Sequence, residues 1–379
     1  MKTLLSLLLT FSILLQIPAC KYENPASLAA AKDKSTLATA FKNDFYIGAA
    51  LNEKQIRGED SLAAALIPKQ FNSITAENIM KWMHIHPAPD KYNFELPEKF
   101  VQLGEKHGMK VIGHTLIWHS QLAPWVNNIK TATEMEKTME THINTVVGHF
   151  KGRVHGWDVV NEALNEDGTL RQSIFLKTMG EGYLKKAFDL TAAADPDAEL
   201  YYNDYNICLP KKRAGCINMI KKLQASGTKI HGVGIQGHWG LDGPSLEDIE
   251  QSIIDYAALG LKVMFTEVDI TVIPNPWDLV GADVNQNYEG SPFMNPYPDA
   301  LPDSVQVKLA NRYRDIFKIF LKHADKIDRV TFWGVNDGQS WKNDWPIKGR
   351  TNYPLLFDRQ FKPKKAYYSV MELKGGKRA

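Results

Sequence analysis

The stretch Phe45-Tyr46-Ile47-Gly48-Ala49-Ala50-Leu51-Asn52 separates two architectures. It is a short apolar run of the kind that forms a parallel strand covered by helices on its outer side. In an open, doubly wound sheet the turn after such a first strand carries a Gly-rich phosphate fingerprint. Gly48-Ala49-Ala50-Leu51-Asn52 lacks the second and third glycines of that fingerprint. A closed barrel needs no such turn.

Seven further stretches read as strands: Phe71 to Thr75, Lys110 to His114, Val154 to Val160, Glu199 to Asn203, Gly232 to Gln236, Val263 to Val268 and Val330 to Gly334. Amphipathic segments lie between them. In Ser245 to Leu259 the residues Leu246, Ile249, Ile253, Ile254 and Ala257 recur on one face, with Ser245 as cap and Asp248 in the first turn. Ser304 to Leu321 repeats the pattern with Leu309, Tyr313, Ile316, Phe317 and Phe320. Eight strand-plus-helix units over this length predict an α/β chain folded as one (β/α)8 TIM barrel, residues 35–379. The largest loop insertion runs from Ile273 to Pro302, between the seventh and eighth strands, where a barrel builds its active-site rim.

Ahead of the barrel, Lys2 and the apolar run from Leu4 to Ile17 have the layout of a secretory signal, too short to span a bilayer comfortably. Residues 1–19 are expected to be removed. Ile17-Pro18-Ala19-Cys20 is similar to a bacterial lipoprotein cleavage box, so Cys20 is the expected site of lipidation. That predicts an exported lipoprotein of the cell envelope, on the outer membrane or cell surface, or a secreted protein if Cys20 is not acylated. Residues 20–34, small, polar and rich in Ala and Lys, read as a tether. Cys208 and Cys216, the other two cysteines, are spaced either to form one bridge or to rest as two buried thiols.

With 45 Lys and Arg against 43 Asp and Glu, the formal net charge is only +2, and the basic runs are short. Nothing in that balance calls for nucleic acid or another anionic partner, and a neutral substrate fits it. The chain is expected to act as a monomer.

Catalytic groups of a barrel are expected where the strands end. The second strand is followed by Glu77, Asn78 and Lys81, the third by His114, Trp118, His119 and Gln121, and the fourth by Asn161 and Glu162. The fifth gives Asn203, Asp204, Tyr205 and Asn206, the sixth Gln236 and His238, the seventh Glu267 and Asp269, and the eighth Trp333, Asp337 and Trp341. Singly, each suits a strand end that needs hydrogen bonds. Together they supply indoles, carboxamides, imidazoles and acids without phosphate-binding glycines or thiolates, a set matched to flat rings bearing hydroxyls. Glu162 and Glu267, from different strands, suit the two jobs of glycoside hydrolysis, a protonated acid and an ionised carboxylate. Glu267 and Asp269 lie two apart, and His238 is the expected partner that relieves their repulsion. Asn161 can bond a sugar hydroxyl near the reacting carbon.

The stretches Thr75-Ala76-Glu77-Asn78-Ile79-Met80-Lys81-Trp82, Gly113 to His119, Trp157-Asp158-Val159-Val160-Asn161-Glu162, Asn203 to Asn206, Gly234 to His238, Thr266 to Ile270 and Trp333 to Trp341 resemble, in order, the motifs of family 10 glycoside hydrolases, the endo-β-1,4-xylanases. The resemblance spans nearly all of the chain after the tether. It implies that Glu162 is the acid/base and Glu267 the nucleophile, with retention of anomeric configuration. It implies that Glu77, Asn78 and Lys81 bind the sugar two places towards the non-reducing side of the cut. His114, Trp118, Asn161, Gln236, Trp333 and Trp341 would surround the sugar at the cut, and Gln121 joins the substrate-binding set. Tyr205 would face the leaving-group side, and His238 with Asp269 would tune Glu267. Xylan and xylo-oligosaccharides are the implied partners, and no cofactor is called for. The insertion from Ile273 to Pro302 departs from compact members of the family and leaves the leaving-group side of the cleft open to question.

Three other functions compete. A metal-dependent hydrolase is suggested by His84 and His86 with His114, His119 and His238, but no strand end supplies a matching ligand set. A binding protein without chemistry would not need both carboxylates in full motif context. A β-1,4-glucanase differs only in admitting the C5 hydroxymethyl group near Trp341.

Overall fold

The computed structural model describes residues 35–279, 281 and 284–375. The expected signal, Cys20 and the tether lie outside the described residues. Eight parallel strands close in sequence order into a barrel: β1 (Tyr46–Leu51), β2 (Ser73–Ala76), β3 (Lys110–Trp118), β4 (Gly156–Asn161), β5 (Glu199–Tyr205), β6 (Gly232–Gly240), β7 (Lys262–Thr271) and β8 (Ile327–Phe332). β1 closes the ring, with Gly48 opposite Ser73 of β2 and Thr331 of β8.

Four strands run two or more residues further at their carboxyl ends than the apolar pattern predicts. Trp118, Tyr205, His238 and Asp269 are strand residues, not loop residues, because the rim stays paired after the apolar run stops: Trp118 lies opposite Asn161, and His238 opposite Asp269. Register shifts interrupt the ladder between His114 and Ile117, Asp158 and Val160, Gln236 and His238, and Phe265 and Val268. Such bulges re-aim side chains near the end of a strand. These four fall beside the polar residues of the barrel mouth, while a fifth shift, between Val263 and Met264, lies near the start of β7.

Between the strands and their helices, close packing dictates particular residues. A Cβ on Gly113 would come within 2.2 Å of the Trp157 ring, which is fully buried across the neighbouring strand. Only glycine lets that indole lie flat there. Inside the barrel Ile112, Tyr201 and Met264 form a small apolar cluster, with the Arg329 guanidinium 4.8 Å from the Tyr201 ring centre. The amino-terminal end is tied by Lys110, 2.8 Å from Asp328 and 3.2 Å from Glu199.

The helix Leu246–Ala257 begins at the expected cap, where the Ser245 hydroxyl accepts from the Asp248 amide at 3.0 Å. Its buried face is Ile249, Ser252, Ile253 and Tyr256. Ile254, expected on that face, is 41% exposed: four-residue spacing from Ile249 and Tyr256 leaves it one step outside the stripe. The helix Asp303–Lys322 buries all five residues of its expected stripe. Cys208 and Cys216 are two buried free thiols.

The insertion after β7 is fastened to the segment after β8. Arg350, buried, donates through Nη1 to the Pro274 carbonyl at 2.7 Å. The Tyr288 amide donates to Pro346 at 3.0 Å, the Thr351 amide to Asn295 Oδ1 at 2.9 Å, and the Tyr353 hydroxyl to the Tyr297 carbonyl at 2.9 Å.

Candidate active site

At the carboxyl ends of the strands lies a cavity of about 290 Å³. Glu162, just past β4, and Glu267, inside β7, both enter it with left-handed backbone, at φ 57° and 59°. Such a conformation costs a non-glycine residue about 1–3 kcal/mol and persists only where the surroundings enforce it. One such restraint is the Glu162 amide, which donates to the Asn203 carbonyl at 2.9 Å.

The two carboxyls sit in unequal surroundings. Glu162 Oε1 accepts from Gln236 Nε2 at 3.0 Å and from Asn161 Nδ2 at 3.2 Å, and Oε2 accepts from the Trp118 indole at 2.8 Å. Burial, reinforced by the negative charges of Asp204 and Glu267, nevertheless pushes its pKa up to about 7. Glu267 is equally buried, which by itself favours the neutral acid. The His238 hydrogen bond and the fields of His114, His238 and Lys81 outweigh burial and hold Glu267 below the usual carboxylate range. Two titratable groups pushed apart in this way can act as an acid and an anion at one pH.

His238 connects Glu267 to a deeper charge. Its Nε2 is 3.1 Å from Glu267 Oε2, and its Nδ1 is 3.0 Å from Asp269 Oδ1. Burial would lower its pKa, but Asp269 and Glu267 raise it. Asp269 also accepts from the Trp341 indole at 2.7 Å and lies 3.6 Å from the buried Lys342 ammonium. A carboxamide line joins the glutamates: Asn203 Nδ2 donates at 2.9 Å to both Glu267 Oε1 and Asn161 Oδ1, while Asn203 Oδ1 accepts from Thr266 at 2.6 Å.

On the β2 side, Lys81 donates to Asn78 Oδ1 at 3.0 Å, and its ammonium stands 4.9 Å from the Trp118 ring centre. Glu77 beside it is pushed up by burial, against the pull of Lys81. His114 is oriented by Asp158, 2.9 Å from Nδ1, and meets Trp333 edge to face. Gln121 adds a buried Oε1 with no hydrogen-bond partner among the described residues.

Of the residues singled out in the sequence, Glu77, Asn78, Lys81, His114, Trp118, Gln121, Asn161, Glu162, Gln236, His238, Glu267, Trp333 and Trp341 all line this one cavity. Asp269 stands behind His238. Tyr205 does not line it: the ring is only 2% exposed, because the insertion and Trp345 cover it. The cavity also takes in Val284, Asp344 and Trp345, with Trp345 stacked on Trp341 at 4.5 Å. Asn203 was visible as a strand-end amide but without its bridging role, which needs the barrel register. Trp345 could have been suspected from the close spacing Trp341-Lys342-Asn343-Asp344-Trp345-Pro346.

The histidines behind the metal alternative are used otherwise. His86 Nδ1 is 3.0 Å from His142 Nδ1, and Trp82 stacks on His142 at 3.7 Å in a buried pile of rings. Among the described residues no three His, Cys, Asp or Glu side chains are grouped to hold a metal ion. The arrangement is one of acids, amides and indoles around a space suited to an uncharged, hydroxyl-bearing ring.

Comparison with known proteins agrees with that chemistry. The sequence profile described as glycosyl hydrolase family 10 matches residues 36–373. Endo-1,4-beta-xylanase A of Xylanibacter ruminicola is 42% identical over 350 residues, covering 91% of this chain and 95% of its own. Beta-1,4-xylanase of Dictyoglomus thermophilum is 40% identical over 372 residues, covering 97% of each. A solved endoxylanase from a sugarcane soil metagenome superposes with a TM-score of 0.87 at 45% identity, covering 89% of this chain and 99% of that one.

Proposed function

The chain belongs to glycosyl hydrolase family 10, and from that premise we infer that it is an endo-β-1,4-xylanase that hydrolyses internal bonds of xylan. The observation that carries the mechanism is the opposite bias of two buried carboxyls in one cavity, Glu162 towards the acid and Glu267 towards the anion.

In this mechanism Glu162 protonates the leaving oxygen while Glu267 attacks the anomeric carbon, giving a glycosyl ester with inverted configuration. Glu162, now ionised, takes a proton from water, which attacks the same carbon and restores the starting configuration. Asn203 and Asn161 hold the two carboxyls in fixed relation, and His238, backed by Asp269, keeps Glu267 anionic. Glu77, Asn78 and Lys81 bind the neighbouring sugar on the non-reducing side, while Trp333 and Trp341 bound the sugar at the cut. No cofactor takes part, and the enzyme works as a monomer.

Replacing Glu267 with Ala tests the nucleophile. Hydrolysis of xylan should disappear while binding of xylo-oligosaccharides stays measurable by calorimetry, and turnover equal to the parent enzyme would defeat the assignment. Initial rates on xylan and on soluble cellulose test the substrate, and a preference for glucan would overturn it.

The proposal extends to location. The signal-like run from Leu4 to Ile17 and the cysteine at position 20 support export and acylation at Cys20, holding the enzyme on the bacterial envelope. Labelled palmitate should enter the native chain and not a Cys20→Ala variant. Equal labelling of both would reject the anchor.

A further inference from the structure

Lys342 carries a buried charge that the double displacement leaves unused. It belongs to the short helical turn Trp341–Asn343 after β8, where the Ser340 hydroxyl accepts from the Lys342 amide at 3.3 Å. The side chain is buried and does not line the catalytic cavity. A lysine is rarely enclosed in this way unless it is paired. Its pair is Asp269, whose Oδ1 lies 3.6 Å from the ammonium and 3.0 Å from His238 Nδ1.

Glu267, His238, Asp269 and Lys342 thus form one chain of alternating sign leading away from the cavity, with contacts of 3.1, 3.0 and 3.6 Å. With Glu267 ionised and His238 protonated, the four charges cancel. Burial and the neighbouring Arg350 press Lys342 towards the neutral amine, and Asp269 and Glu267 oppose them. Without the ammonium, two anions would face one cation. A buried site corrects such an imbalance by taking up a proton. His238 already holds both of its ring protons, and Asp269 stays paired with His238 and bonded by the Trp341 indole. Glu267 is the group left to accept it. On the cavity side His114 and Lys81 favour its charge, while Glu77 and Glu162 oppose it.

The same ammonium lies 4.7 Å from the Trp341 ring centre and 4.9 Å from that of Trp345, the two stacked indoles of the cavity wall. A cation at this range is attracted to an aromatic face. One side chain therefore holds both the wall that meets the sugar and the charge behind the nucleophile. We propose that Lys342 is a positioning residue: by completing the neutral chain through Asp269 and His238, it keeps Glu267 ionised at acid pH without touching the substrate. The inference rests on the assignment of Glu267 as nucleophile.

A dinitrophenyl xylobioside carrying fluorine beside the anomeric carbon isolates that ionisation. The Glu267 carboxylate forms an ester with the anomeric carbon, dinitrophenolate departs with the bonding electron pair and needs no proton, and the fluorine slows hydrolysis of the ester. Inactivation therefore follows the charge on Glu267 alone. In Lys342→Met, and in Lys342→Gln, which keeps a hydrogen-bond donor for Asp269, the acid limb of the inactivation rate should rise by roughly half to one pH unit, making inactivation about threefold to tenfold slower below the limb. Lys342→Arg keeps the charge and should leave the limb in place, and urea midpoints identify which variants are folded. An unmoved limb in a folded uncharged variant would overturn the proposal, as would an equal rise in Lys342→Arg. A parent enzyme that resists the reagent at every pH would instead strike at Glu267 as nucleophile.

Discussion

Glu162 and Glu267 are the same side chain in opposite surroundings, and the difference has a kinetic signature. On the proposed assignment kcat/KM of the free enzyme requires Glu162 protonated and Glu267 ionised, so the expected profile is a bell. Its alkaline limb should lie near pH 7, where Glu162 loses its proton, and its acid limb below the ordinary glutamate range. The Trp118 indole bonds the charged form of Glu162. Trp118→Phe removes that bond, so the carboxyl holds its proton longer and the alkaline limb should move up by roughly half to one pH unit, alongside a loss of rate. A limb that stays in place would show that the indole does not govern the proton. At this scale the sequence was informative wherever a residue acts through its own chemistry: the glutamates, His238 and the indoles line the cavity as their types and spacing suggested. It was silent on Tyr205, because whether a ring is offered or covered depends on a loop more than seventy positions away in the chain.

Strands were legible because apolar runs bounded by turn residues carry a strong signal, and all eight overlap the expected stretches, though β8 starts three residues earlier and ends two earlier than Val330 to Gly334. Their carboxyl ends were not, since polar residues at Trp118, Tyr205, His238 and Asp269 look like loop until the neighbouring strand supplies a partner. The same dependence on neighbours fixes Gly113. Adding a methyl group there drives into the Trp157 ring, so Gly113→Ala should lower stability by about 1–3 kcal/mol, read as a reduced urea midpoint with an unchanged slope. An unaltered midpoint would mean that the β3–β4 packing tolerates the extra atom. The insertion shows the converse limit. Its composition marked it as a long loop on the rim, while its contact with Tyr205 rests on hydrogen bonds from Arg350, Thr351 and Tyr353 that no local pattern announces.

The closed barrel was countable from the sequence, since eight units and a missing glycine fingerprint leave little alternative. The ionic ring at its amino-terminal end was not, because Lys110, Glu199, Lys262 and Asp328 meet only when the strands close. Burial tends to raise the Glu199 pKa, but Lys262, Tyr201 and Lys110 together hold it at about 2. A carboxylate whose folded pKa is depressed stabilises the fold above its unfolded pKa and loses that contribution as pH falls through the folded one. The urea midpoint should therefore drop between about pH 4 and 2, and less steeply in Glu199→Gln. Superimposable acid profiles would remove Glu199 from the balance. Since the chemistry is assigned to two carboxyls, exhaustive chelation should leave xylan hydrolysis unchanged, and a loss restored by a divalent metal would reopen the metal alternative. The most direct test of double displacement by Glu162 and Glu267 is the proton NMR spectrum of xylan during the first minutes of hydrolysis. New reducing ends should appear as the β-anomer, with the α-anomer rising only by later mutarotation. The α-anomer appearing first would mean inversion and would contradict the assignment of Glu267 as nucleophile.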